Sequence, residues 1–150
     1  MSLLRKAVSL VKRCELSRRR SEASIGHLQG KMDALDSRIA ALDSQGEVLN
    51  IMIHQQQQPC LMNRAGLFAV QQRKAVCRQK LQALDLQRVE LREQQAVLRE
   101  EQEEARLMRL HWQQKEEKFQ RCVTTERRQM RLSQALREES EIQEKYSCRK

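Results

Sequence analysis

The sequence predicts an all-α protein: an antiparallel two-helix coiled-coil hairpin with an overhanging C-terminal helix. Three observations carry this. Charged residues are 33% of the chain and aromatic residues 3%, a balance typical of long helices and coiled coils. Apolar residues recur in alternating steps of three and four over two long segments. One proline, Pro59, stands between those segments.

The expected organisation is a single helical hairpin over 1–150, with helix one at about 3–53, a turn at 54–63 and helix two at about 64–145. In helix one the stripe runs Ile25, Leu28, Met32, Leu35, Ile39, Leu42, Gly46, Leu49 and Ile53. Backwards it continues through Ser21, Arg18, Cys14, Val11, Ala7 and Leu4, weaker but in phase. Steps averaging 3.5 keep one face against a partner helix. Gly46 reads as a flaw in this seam, costing about 1 kcal/mol against Ala. Pro59 disfavours helical geometry at Gln58 and donates no backbone bond, and Asn63 is placed to cap the next helix.

Helix two carries Val70, Cys77, Leu84, Leu91, Leu98, Ala105, Trp112 and Phe119, spaced by seven. The companion heptad position is largely polar: Lys74, Arg88, Gln95, Gln102, Arg109 and Glu116 follow or interrupt Leu67, Leu81 and Val123. Folding at Pro59 is expected to set Arg18, Arg19 and Arg20 against the run Glu100–Glu104. At 1.5 Å per residue helix two would be roughly 120 Å long and helix one roughly 75 Å. Helix two therefore overhangs. Trp112, Phe119, Val123 and Met130 are expected near or beyond the end of helix one, followed by Arg127, Arg128 and Arg131, with Arg5, Lys6, Lys12 and Arg13 at the other free end. Exposed apolar groups rimmed by charge mark an interaction site, with Trp and Arg dominating such sites. A frayed helical tail with stray apolar residues is the plainer alternative.

The net charge is +9. It reads either as attraction to an acidic partner or as solvated helix faces of mixed sign. Five scattered cysteines, Cys14, Cys60, Cys77, Cys122 and Cys148, form no CxxC and point to a reducing compartment. No signal peptide and no spanning segment of roughly 20 apolar residues is visible, so no direct membrane insertion is expected.

Basic residues before four heptad leucines invite comparison with a basic-region leucine zipper. That family needs an asparagine eight residues before the arginine at 18, and Leu10 stands there. Without stacking aromatics, no specific nucleic acid is expected. His54 and Cys60 flank the turn, yet nothing completes a metal site, so no metal and no cofactor is expected. No nucleophile elbow or phosphate loop occurs, and no enzyme activity is expected.

The stretch His111-Trp112-Gln113-Gln114-Lys115-Glu116-Glu117-Lys118-Phe119-Gln120-Arg121 resembles the small stalk proteins of bacterial type III secretion systems, SpaM/InvI type. Arg64-Ala65-Gly66-Leu67-Phe68 and Gln72–Lys80 are similar to the start of the second helix in that group. The wider group includes the YscO-type stalks and the flagellar protein FliJ. His111 departs from the pattern where an aromatic stands, and Cys122 where a bulky apolar residue stands.

The resemblance implies a non-catalytic stalk, cytoplasmic and at the cytosolic face of the apparatus, that couples the hexameric export ATPase to the export gate. It implies ATPase contacts at Arg5, Lys6, Lys12, Arg13, Trp112, Phe119, Arg127, Arg128 and Arg131. It implies contacts of Leu49, Ile53, Leu67 and Phe68 with the cytosolic domain of the export gate, and secretion chaperones as further partners. From the residues alone, a coiled-coil homodimeric adaptor, with Leu28, Leu35, Leu42 and Leu49 of two chains in parallel, or a nucleic-acid-associated protein stays open.

Overall fold

The computed structural model describes residues 2–56, 61 and 63–149. Two helices make up nearly all of them: α1 (Ser2–Gln55) and α2 (Arg64–Ser147). There is no strand among the described residues. Both segments are rich in Leu, Ala, Gln, Glu and Arg, the best helix formers, and contain no proline. Asn63 caps α2: its side-chain oxygen accepts the Gly66 N–H at 2.8 Å, and its carbonyl accepts the Leu67 N–H at 3.0 Å. Pro59 and Cys60 lie outside the described residues.

Contacts gather the chain into two compact units, 1–25 with 104–150 and 26–103. Each pairs a stretch of α1 with a stretch of α2 in antiparallel sense. In both, the covered residues are those of the heptad stripes. Ala7 and Cys14 are buried in the first unit, and Leu28, Leu35 and Leu91 in the second. The parallel pairing of two chains through their leucines finds no free stripe, because Leu28 and Leu35 are only 7% and 8% exposed.

The polar positions of α2 lie in the seam too. In the unit 26–103, Gln102 Nε2 donates to Gln29 Oε1 at 2.9 Å, and Gln95 donates to Asp36. Arg88 Nε stands 3.2 Å from Asp43 Oδ1, an ion pair rather than a linear hydrogen bond. The three pairs step by seven on both helices, so one antiparallel register satisfies all of them. A buried amide left without a partner would be penalised by desolvation, about 1–3 kcal/mol.

This register differs from the one centred on Pro59. Level with Gln55 stands Val76, so the first turns of α2 run past the end of α1, and Leu67 and Phe68 there are 54% and 63% exposed. The connection permits the shift: residues 56–63 reach roughly 26 Å when extended, more than the roughly 18 Å of a twelve-residue helical stretch. Seam chemistry, not turn position, therefore sets the register. Gly46 also changes meaning. It is buried, and a Cβ there would collide with the Arg88 guanidinium. The apparent flaw is the notch that admits Arg88.

Gly46→Ala in an Arg88→Ala background should gain the ordinary propensity difference, about 1 kcal/mol. In the native background the gain should be smaller, because the Nη2 end of Arg88 must shift to admit the new methyl. Urea unfolding of the four proteins measures the coupling. Equal gains in the two backgrounds would show that Arg88 does not occupy the notch.

Candidate functional site

The unit formed by 1–25 and 104–150 holds the whole charge excess of the chain. Its Lys and Arg outnumber Asp and Glu by 19 to 10, whereas the unit 26–103 has 10 of each. Its register is anchored by Arg18, whose Nε donates to Glu116 Oε2 at 2.8 Å while Nη1 donates to Glu22 at 2.9 Å. These bonds, that to Glu116 first, raise the Arg18 pKa above its usual value. Arg18 thus meets Glu116 rather than the expected Glu100–Glu104 run, because α1 lies further along α2 than a fold centred on Pro59 allows.

From that anchor Lys6 stands level with Arg128 and Arg13 with Arg121. Arg5, Lys6, Lys12, Arg13, Arg127, Arg128 and Arg131 are all exposed. On a helix, neighbours such as 5 and 6, or 12 and 13, point about 100° apart. The cations therefore wrap the outer surface of the pair instead of forming one flat face.

The apolar members of the expected site behave differently. Val123 is 7% exposed and belongs to the core, which corrects the expectation that it lacks cover. Trp112 and Phe119 are half-buried on the same seam. The shifted register covers all three with α1, and only Met130 of that set, 47% exposed, stays open. Lys115 Nζ lies 5.1 Å from the Trp112 ring centroid, and His111 meets the ring edge-on at 5.4 Å. Other open apolar groups of this unit are Leu107, Met108 and Leu110 and, further on, Leu132, Leu136, Ile142 and Tyr146. The signal of the last four in the sequence is a second heptad stripe out of phase with the first.

In the unit 26–103, Leu49 and Ile53 are half-buried seam residues, while Leu67 and Phe68 are open. Val48, Ile51 and Met52 are also exposed in α1. A shallow groove of about 590 Å³ runs there between Val48, Leu49 and Met52 on one side and Ala83 and Leu84 on the other. Among the described residues no three of His, Cys, Asp or Glu gather as metal ligands, and no helix is long and apolar enough to cross a membrane.

A family model, described as the Salmonella surface presentation of antigen gene type M protein, matches residues 5–146. The chain belongs to this family. It is accordingly a type III secretion-associated protein, whose partners are expected among the proteins of that apparatus. No curated protein and no solved structure matches it. The match covers nearly all of both helices, including Arg5, Lys6, Lys12, Arg13, Arg127, Arg128 and Arg131 of the first unit and Leu67 and Phe68 of the second.

For this family member, Arg18→Glu should lower the melting temperature at low salt, and Arg18→Glu with Glu116→Arg should restore it. The difference should shrink at 1 M salt, where charges are screened within about 3 Å. Thermal unfolding by circular dichroism reads both. A loss in the swapped pair larger than the small repulsion expected between a glutamate at position 18 and Glu22 would mean that Arg18 acts by packing.

Proposed function

We propose that the chain is a non-catalytic stalk of a type III secretion system, acting in the cytoplasm at the face of the apparatus. It engages the export ATPase ring through the basic unit 1–25 and 104–150. Its open turns, with Leu67 and Phe68 foremost, contact the cytosolic domain of the export gate. The observation that carries this reading is the segregation of charge: the full excess of +9 lies on one unit and none on the other.

Cations distributed around a helix pair suit a partner that surrounds it, and a ring lumen lined by carboxylates is such a partner. Arg5, Lys6, Lys12, Arg13, Arg127, Arg128 and Arg131 supply the charge. Trp112 and Phe119, half-buried, stiffen the pair beneath them and offer their open edges. The turn region is chemically distinct. Leu67 and Phe68 are open apolar groups on the first turns of α2, and Val48 and Met52 line a separate apolar groove further along, in a unit without excess charge, suited to contact with a globular domain. Leu49 and Ile53 support it from the seam. Secretion chaperones are further partners under the same reading.

Reversing Arg5, Lys6, Lys12 and Arg13 to Glu should abolish stimulation of the purified export ATPase, with helical content unchanged. Phe68→Ala should leave that stimulation intact and weaken binding to the gate domain by about 2 kcal/mol, roughly thirtyfold in Kd. ATPase assays and titration calorimetry measure the two effects. Undiminished stimulation by the charge-reversed protein would refute the assignment of the basic unit.

A further inference from the structure

The last part of α2 carries a second amphipathic stripe that α1 does not use. Arg128, Leu132, Ala135, Glu139, Ile142 and Tyr146 follow one another in steps of four and three. Leu132 lies nine residues beyond the buried Val123, about two and a half helical turns. The stripe therefore points away from the seam. Leu132, Leu136, Ile142 and Tyr146 are 58%, 66%, 53% and 71% exposed.

Charge along this segment is sorted. From 127 to 137 there are four arginines and no acid, and from 138 to 144 four glutamates and no base. A helix whose first half is basic and second half acidic is complementary to itself when reversed. A two-fold contact demands that residue i face j and j face i.

We propose that the face of α2 from Arg128 to Glu139, with Leu132 and Leu136 at its centre, pairs antiparallel with the same face of a second copy of the chain. The two-fold axis passes near Gln134. Leu132 of each copy then packs on Leu136 of the other. Arg128 faces Glu139 and Arg131 faces Glu138, twice each by symmetry. The apolar centre supplies the attraction, and the four flanking ion pairs fix direction and register, as flanking charges do in coiled coils.

The pairing also gives this stretch the partner helix that α1 does not supply. Lone helices of about this length are marginal in water. The inference stands on the exposed stripe and its charge order, independently of the stalk reading. Where both hold, self-pairing and ring engagement compete for Arg128 and Arg131.

Sedimentation of the full chain over a dilution series tests it. The native protein should move from 17.7 kDa toward twice that mass as concentration rises. Arg128→Glu with Arg131→Glu should remain at the monomer mass, and so should Glu138→Arg with Glu139→Arg. An equimolar mixture of the two variants should recover the dimer, because each now presents the complement of the other. Circular dichroism verifies that both variants stay helical. A native chain that is monomeric throughout, reversed variants that dimerise alone, or a mixture that stays monomeric would each overturn the proposal. The second of these results would place the dimer contact elsewhere, such as the groove beside Val48 and Met52.

Discussion

Arg88 resting over Gly46 is the contact on which the register of the unit 26–103 turns. A guanidinium is planar and permanently charged, and desolvating one without partners costs far more than a weak ion pair returns. In a two-helix seam it needs a carboxylate within reach and room on the facing helix. Gly46 supplies the bare backbone and Asp43 the carboxylate, 3.2 Å from Nε. Gly26 and Gly30 have open space around them and offer no such notch to a seam residue. Once Arg88 is seated, Gln95 falls on Asp36 and Gln102 on Gln29. Gln102, 5% exposed, then has a partner for its buried amide.

A seam one side chain thick has consequences for the rest of the molecule. No large side chain among the described residues is fully buried, and the core consists of a few residues such as Leu28, Leu35, Leu91 and Val123. Much of the apolar content consequently faces outward, as at Phe68, Leu107 and Leu136. A protein built this way has surface and little interior. Its chemistry is that of contact: charge on the unit 1–25 with 104–150, apolar edges beside the turn, and a second stripe near the end of α2. Separation of these surfaces along the chain is itself informative, since mixed charges serving solubility alone would have no cause to leave one unit neutral and the other strongly basic.

The amino-acid sequence by itself determined the helices, the cap at Asn63 and the phase of both stripes. Those are local properties: propensity, a side chain reaching the N–H three residues on, and a period of 3.5. Even the polar positions at 88, 95, 102 and 116 were legible as seam members, because a period places a residue whatever its chemistry. What α1 covers along α2 was not legible, since it depends on how far the helices slide past each other. A connection of the length of 56–63 leaves that choice open, and the pairings of Arg18 with Glu116, Arg88 with Asp43, Gln95 with Asp36 and Gln102 with Gln29 close it. The tertiary structure therefore decided that Val123 is core, that Trp112 and Phe119 are half covered, and that the seam positions of α2 stay covered as far as Val123. The physical reason is that heptad seams repeat. Shifting one helix by seven residues preserves the apolar pattern, so the discriminating terms are a few polar and steric contacts that no periodicity can reveal.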